Sequence, residues 1–239
     1  MTALNLLCLP YSGASAMVYS RWRRKLPSWV QVRPVELPGR GARMAEPLHT
    51  DMQALARQLA SEQHLAANAP YALLGHSLGA LLAFELAHEL QALGCPAPLA
   101  LFACGTAAPT RREDYDGRHW REPKTDAELI SELRELQGTP EEVLANAELM
   151  SLTLPTLRAD FLLCGTYAYR QRPALSCPLH VLAGTDDRAN DEQLRAWGKE
   201  THGEFSLQMF PGGHFFIHEH EDRVLDALTA SLQPLRLSA

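Results

Sequence analysis

A serine set between two glycines, Gly75-His76-Ser77-Leu78-Gly79, is the part of this chain best suited to covalent chemistry. A serine hydroxyl is a poor nucleophile at neutral pH and needs a base, usually an imidazole with an ordinary pKa near 6.5. Of the ten histidines, His214 is placed for that task, directly after the Gly212-Gly213 turn and late in the chain. The imidazole in turn needs a carboxylate to hold its tautomer and to stabilise its positive charge. Asp186 and Asp187 both follow the apolar run of residues 179–184 and precede the base, and on their own they leave the choice open. Asp160 is a remoter acid, expected on a cap or its exit helix. His76 sits inside the pentapeptide and is expected to point away from the nucleophile, in a structural contact. His218 and His220 stand near His214, but a zinc site wants a closed ligand set and no Cys or further His cluster completes one, so no metal is expected.

The pentapeptide becomes a nucleophile elbow only if a strand delivers it and a helix leaves it. Residues 71–74 (Tyr-Ala-Leu-Leu) read as a buried strand, and residues 80–93 as a helix of good formers stopped by Gly94. Small neighbours let the two pass closely, and the helix N-terminus beneath Ser77 favours a developing oxyanion. Residues 4–10 form an early strand that runs into the small-residue loop Pro10-Tyr11-Ser12-Gly13-Ala14-Ser15. Such a loop is a candidate for one half of an oxyanion hole, the N–H of Leu78 being the other. Residues 30–37 alternate like a strand and end at the turn Pro38-Gly39-Arg40-Gly41. Residues 51–65 have helical spacing, and residues 99–105 read as a central strand. Strands at 179–184 and 205–210 precede Asp186-Asp187 and His214, and a closing helix runs through Leu235. Strands alternating with helices predict an α/β fold with a mostly parallel sheet covered on both faces.

Between residues 111 and 169 the texture changes. Polar residues 111–122 lead to an amphipathic helix over 126–137 closed by Gly138. A helix start then follows, with Thr139 at N-cap, Pro140 at N1 and Glu142 at N3, and the helical reading is interrupted at Pro155. A strand-free insertion of this length reads as a helical cap over the strand ends, where ligands of such sheets bind. The expectation is one domain, residues 1–239, with that cap setting acyl-chain access.

Composition narrows the class. A chain of 239 residues fits one α/β domain. A net charge of −6 argues against nucleic acid as the main partner. No run approaches the roughly 18 apolar residues of a membrane span, and the N-terminus lacks a signal-peptide pattern. Five cysteines without C-x-x-C spacing read as free thiols in a reducing cytoplasm. Arg21, Arg23, Arg24 and Lys25 fall in a short predicted helix, either as a solvated face or as a docking patch for an acidic partner.

Taken together, these segments resemble the free-standing type II thioesterases that accompany nonribosomal peptide and polyketide synthetases, within the α/β-hydrolase superfamily. The resemblance runs nearly end to end. It rests on Leu9-Pro10-Tyr11-Ser12-Gly13-Ala14-Ser15 with Trp22 after it, Leu37-Pro38-Gly39-Arg40-Gly41, the Ser77 elbow, residues 154–160 (Leu-Pro-Thr-Leu-Arg-Ala-Asp), and Pro211-Gly212-Gly213-His214-Phe215-Phe216. The elbow and histidine loop are common to many hydrolases; the P-G-R-G and L-R-A-D segments are more telling. The family commonly has Ala where Ser12 stands, Gly where Ala14 stands, and Met where Leu78 stands. Oxyanion holes use backbone N–H groups, so these departures affect pocket shape rather than chemistry. In α/β-hydrolases the acid commonly stands three residues after a glycine that ends its strand, which from Gly184 selects Asp187, with Asp186 as the alternative.

The resemblance implies hydrolysis of stalled or wrong acyl groups from the phosphopantetheine arm of acyl or peptidyl carrier domains. Ser77 would be the nucleophile, His214 the base, Asp187 its orienting acid, and the N–H groups of Leu78 and Ser12 the oxyanion hole. The arm belongs to the substrate, so no cofactor is expected. The expected partner is an acidic carrier domain, with Arg21, Arg23, Arg24 and Lys25 as docking candidates, and the expected protein is a cytoplasmic monomer that binds neither nucleic acid nor membrane. A carboxylesterase or lipase of small esters, a cyclising acyltransferase and a non-catalytic hydrolase-fold binding protein are the rival readings.

Overall fold

The computed structural model describes residues 3–112 and 121–235. Six strands form one sheet in the order β2-β1-β3-β4-β5-β6, and every neighbouring pair is parallel. In chain order they are β1 (Leu4–Leu9), β2 (Val30–Pro34), β3 (Tyr71–His76), β4 (Leu101–Cys104), β5 (Leu179–Gly184) and β6 (Phe205–Phe210). A parallel sheet is buried on both faces, which explains why every residue of β1, β3, β4 and β5 is buried and nearly all are apolar.

Successive side chains of a strand point to opposite faces, so each run feeds two cores. Leu7, Leu9 and Leu73 pack on one face with α1 (Met52–Ala67) and α2 (Leu78–Ala92). Leu6, Cys8 and Leu74 pack on the other with Tyr19, Trp22 and the closing helix. Helix α1 starts where Asp51 accepts from the Ala54 N–H, and the chain leaves α2 through Gly94 at φ +83°. The segment predicted as a short basic helix is a 3-10 helix, Ala16–Arg24, capped by Ser15.

Between β4 and β5 lie three helices of the described residues, α3 (Asp126–Leu136), α4 (Glu141–Leu144) and α5 (Ala147–Gly165). They share a small core of their own from Leu129, Leu144, Met150 and Leu154. Three expectations for this region change. A reciprocal Thr125–Glu128 capping box opens α3, but Gln137, at φ +57°, takes the left-handed position predicted for Gly138. Gly138 is needed for a different reason: a Cβ there would lie 1.9 Å from the Phe215 ring. Helix α4 has Pro140 at its N-cap with no side-chain cap, one residue later than the Thr139 start that was expected. Pro155 does not interrupt α5. It sits on the exposed side, where the carbonyl freed at Ser151 can be hydrated, while Leu154 and Leu157 hold the helix from the buried side. Of the polar segment 111–122, residues 113–120 lie outside the described residues.

The chain closes with α6 (Asp191–Arg195), β6, α7 (Phe216–Glu219) and α8 (Glu221–Leu235). Cys8, Cys104 and Cys177 are buried free thiols, whereas Cys95 and Cys164 are half-buried. No described helix is long and apolar enough to cross a membrane.

Candidate active site

Parallel register brings the ends of β1 and β3 side by side, with Leu9 opposite Gly75. The loop after β1 therefore stands beside the turn after β3. Ser77 occupies that turn at φ +55° and ψ −117°, a conformation that costs a non-glycine residue about 1–3 kcal/mol and is held by its surroundings. The Ser77 N–H donates to the Cys104 carbonyl of β4 at 2.8 Å, and the Ser77 carbonyl accepts from Ala80 at 3.0 Å. A Cβ on Gly75 would fall 1.9 Å from the Gly79 carbonyl oxygen, and one on Gly79 would fall 2.2 Å from that of Leu9. Both glycines are thus dictated by close approach of backbone. The turn sets Ser77 on the first turn of α2, with Leu78 as its opening residue.

The acid and base come from the ends of β5 and β6, which are zipped together beyond the sheet. Thr185 N–H donates to the Phe210 carbonyl at 2.8 Å and Asp186 N–H to the Gly212 carbonyl at 2.9 Å. Gly184 lets the strands meet, since a Cβ there would lie 2.3 Å from the Gly213 oxygen. His214 Nδ1 then lies 3.1 Å and 3.0 Å from the two carboxylate oxygens of Asp187. Both side chains are almost wholly buried, 8% and 1% exposed. Asp186 is exposed and contributes only its backbone, so it is Asp187, the acid that the family spacing from Gly184 selects, that meets His214. With Nδ1 engaged by Asp187, Nε2 is the ring atom available to accept a proton.

Ser12, Ser77, Leu78 and His214 line one cavity, which encloses about 40 Å³. That is room for a few water molecules. The cap lines the same space through Glu132 and Leu136 of α3 and Phe161 and Cys164 of α5, with Thr106, Arg112 and Arg188 completing the wall. His76 packs behind the base, its ring centroid 4.9 Å from that of His214, among Tyr11, Phe215 and Phe216. Burial, helped by the neighbouring His214, pushes its pKa well below 6.5, so it is a neutral backing ring. His218 donates or accepts at the Tyr11 hydroxyl, 3.1 Å away. Among the described residues no group of three His, Cys, Asp or Glu side chains could hold a metal ion.

Asp160 pairs with Arg40 and not with the base. It is fully buried in α5 and grips Arg40 through both carboxylate oxygens, at 2.6 and 2.7 Å. It also accepts the Gly13 N–H at 2.7 Å. Sequence reasoning singled out both segments that carry this pair and missed the pairing; the signal was two charged residues, each inside an otherwise apolar or glycine-rich motif. The basic segment is only partly a free positive face. Arg21 and Arg24 are exposed, Arg23 donates to the Val32 carbonyl at 3.3 Å, and Lys25 sits between Glu221 and Asp222 at 2.5 and 2.8 Å.

Residues 5–232 match the family model described as a thioesterase domain. The gramicidin S biosynthesis protein GrsT of Aneurinibacillus migulanus is 38% identical over 234 residues, covering 96% of this chain and 89% of its own. The thioesterase RedJ of the prodiginine pathway in Streptomyces coelicolor superposes with a TM-score of 0.89 at 36% identity, over 97% of this chain and 91% of its own. The type II thioesterase BorB of the borrelidin cluster superposes with a TM-score of 0.85 at 38% identity, over 97% and 93%. An all-parallel six-stranded sheet, the strained serine turn and likeness over nearly the whole length agree: this chain belongs to the thioesterase family of the α/β-hydrolase type, among the type II thioesterases of peptide and polyketide assembly pathways.

Proposed function

We propose that this chain removes stalled or wrong acyl groups from the phosphopantetheine arm of carrier domains in nonribosomal peptide or polyketide synthesis. The observation that carries the reading is the one cavity shared by Ser77, His214, Leu78, Ser12 and the cap, with Asp187 on the far nitrogen of His214. Ser77 Oγ attacks the thioester carbonyl while His214 Nε2 takes its proton, and Asp187 stabilises the imidazolium. The oxyanion is held by the N–H groups of Leu78 and Ser12. The pantetheine sulfur leaves with the proton from His214; thiols, with pKa values near 8.5, leave readily. A water deprotonated by His214 then attacks the acyl-enzyme and frees the carboxylic acid. Every group in this scheme is a residue of the chain, so no cofactor enters it.

The same reading treats the chain as one domain whose residues 111–169 act as a cap, parting from the floor to admit an acyl chain. It works as a cytoplasmic monomer, docking an acidic carrier surface on Arg21, Arg23, Arg24 and Lys25. Because Lys25 is already paired with Glu221 and Asp222, Arg21 and Arg24 carry most of that attraction. The test is release of acetyl or short acyl groups from a loaded carrier protein by wild type and Ser77→Ala, with the same group on free pantetheine and as a simple oxygen ester. Fast release from the carrier alone, abolished by the substitution, is the expected result. Equal rates on all three substrates would make this a general esterase, and an active Ser77→Ala would remove the nucleophile assignment.

A further inference from the structure

Arg40 and Asp160, 120 positions apart, meet at the loop that carries Ser12, and neither belongs to the triad. The loop is a tight turn: Ala14 N–H donates to the Tyr11 carbonyl at 3.0 Å, with Gly13 third in the turn at φ +77°. A left-handed third residue is what a type II turn requires. Asp160 Oδ2 accepts the Gly13 N–H at 2.7 Å, and Arg40 reaches the Ala14 carbonyl at 3.4 Å. The ion pair therefore holds the turn at two successive residues, through a donor and an acceptor. The side chains of Arg40 and Asp160 are 7% and 0% exposed. The Leu157 side chain, one helical turn before Asp160 on α5, packs where a Gly13 Cβ would lie, 2.6 Å away.

We propose that Asp160 and Arg40 are positioning residues for the oxyanion hole. They orient the Ser12–Gly13 peptides so that the Gly13 N–H is committed to Asp160 and the Ser12 N–H is left for the cavity. The inference rests on the reading of Ser12 and Leu78 as oxyanion donors. A fold staple alone is a poor account of the pair. Moving two charges out of water is expensive, and buried ion pairs can often be replaced by apolar residues of similar volume without loss of stability. A carboxylate that takes a charge-assisted hydrogen bond from the turn beside the nucleophile does something an apolar pair cannot. Small displacements there matter, since a shift of about 1 Å can cost on the order of 100-fold in rate.

The experiment separates transition-state from ground-state binding. Wild type, Asp160→Asn and the double variant Arg40→Met with Asp160→Leu are compared for thermal unfolding, kcat and KM. Affinity is measured for a trifluoromethyl ketone thioether of pantetheine and for S-propyl pantetheine. The ketone adds Ser77 Oγ at its carbonyl carbon while His214 takes the proton, leaving an oxyanion in the hole; the propyl thioether has no carbonyl. The expected double variant melts within a few degrees of wild type and binds the propyl thioether equally well. It loses roughly 100-fold in both kcat and ketone affinity, in line with loss of one oxyanion donor. If the double variant does not fold, Asp160→Asn is read by the same five quantities. A folded variant that keeps kcat and ketone affinity overturns the positioning role alone, as does one that loses both ligands equally. A wild type that neither hydrolyses thioesters nor binds the ketone overturns this role together with the catalytic reading.

Discussion

Among the ion pairs of the described residues that join the cap to the floor, those of Arg40 and Arg188 are built in opposite ways. Arg40–Asp160 is buried and bidentate, and its carboxylate takes a third hydrogen bond from Gly13. Arg188, next to Asp187, is 40% exposed and reaches two carboxylates of α3, Glu132, only 12% exposed, and the exposed Glu135. The first pair grips α5 beside Ser12, and the second meets α3 beside Asp187. A buried pair is costly to assemble and costly to break, because removing one partner strands a charge in a dry site. An exposed pair gains little, because water and salt compete for both ends. Arg40 and Asp160 thus form a dry contact, while Arg188 and Glu135 stay open to water.

Removing Asp160 is the harshest way to break this comparison. Asp160→Ala leaves the Arg40 guanidinium buried without its partner, and unfolding in denaturant should show a loss of about 3–5 kcal/mol. A loss below about 1 kcal/mol would mean that the two pairs are energetically alike. Acid supplies a control away from both. His88 on α2 has its pKa lowered to about 4, first by burial and then by the nearby Arg172 guanidinium that pairs with Glu85. Between pH 6.5 and about 4 the unfolded chain binds a proton there that the folded chain does not. Stability should therefore fall as pH drops through that window, and His88→Gln should flatten the slope with the cap pairs intact. An unchanged slope would place the titration elsewhere. Arg188→Ala should cost only about 0.2–1 kcal/mol. The smallest effect is that of salt. In about 1 M salt, where the Debye length falls to about 3 Å, the difference between wild type and Arg188→Ala should vanish while that of Asp160→Ala persists.

Much of the floor was legible because its causes are local. Gly75 and Gly79 announce a turn that only small residues permit, and the apolar runs of β1, β3, β4 and β5 follow from burial on both faces of a parallel sheet. The cap was legible in outline and less so in detail. Gly138 looked like a helix stop, yet its place is fixed by Phe215, far away in sequence and adjacent to His214. Pro155 looked like a break, yet tertiary packing of Leu154 and Leu157 outweighs one lost hydrogen bond.

Residue types alone left Asp186 and Asp187 open; the family spacing from Gly184 favoured Asp187, and the inward turn of its side chain is a tertiary fact. Arg40 and Asp160 were harder still, since a lone charge in a sequence reads the same whether it ends in solvent or in a partner's grip. The sequence by itself determined the glycine-flanked serine turn, the order of strands and helices and the kinship, because each is written in residues close in the chain. Only the tertiary structure shows Asp187 turned onto His214 and Asp160 and Arg40 holding the Ser12 turn, because those contacts depend on burial and on the meeting of residues far apart in the chain.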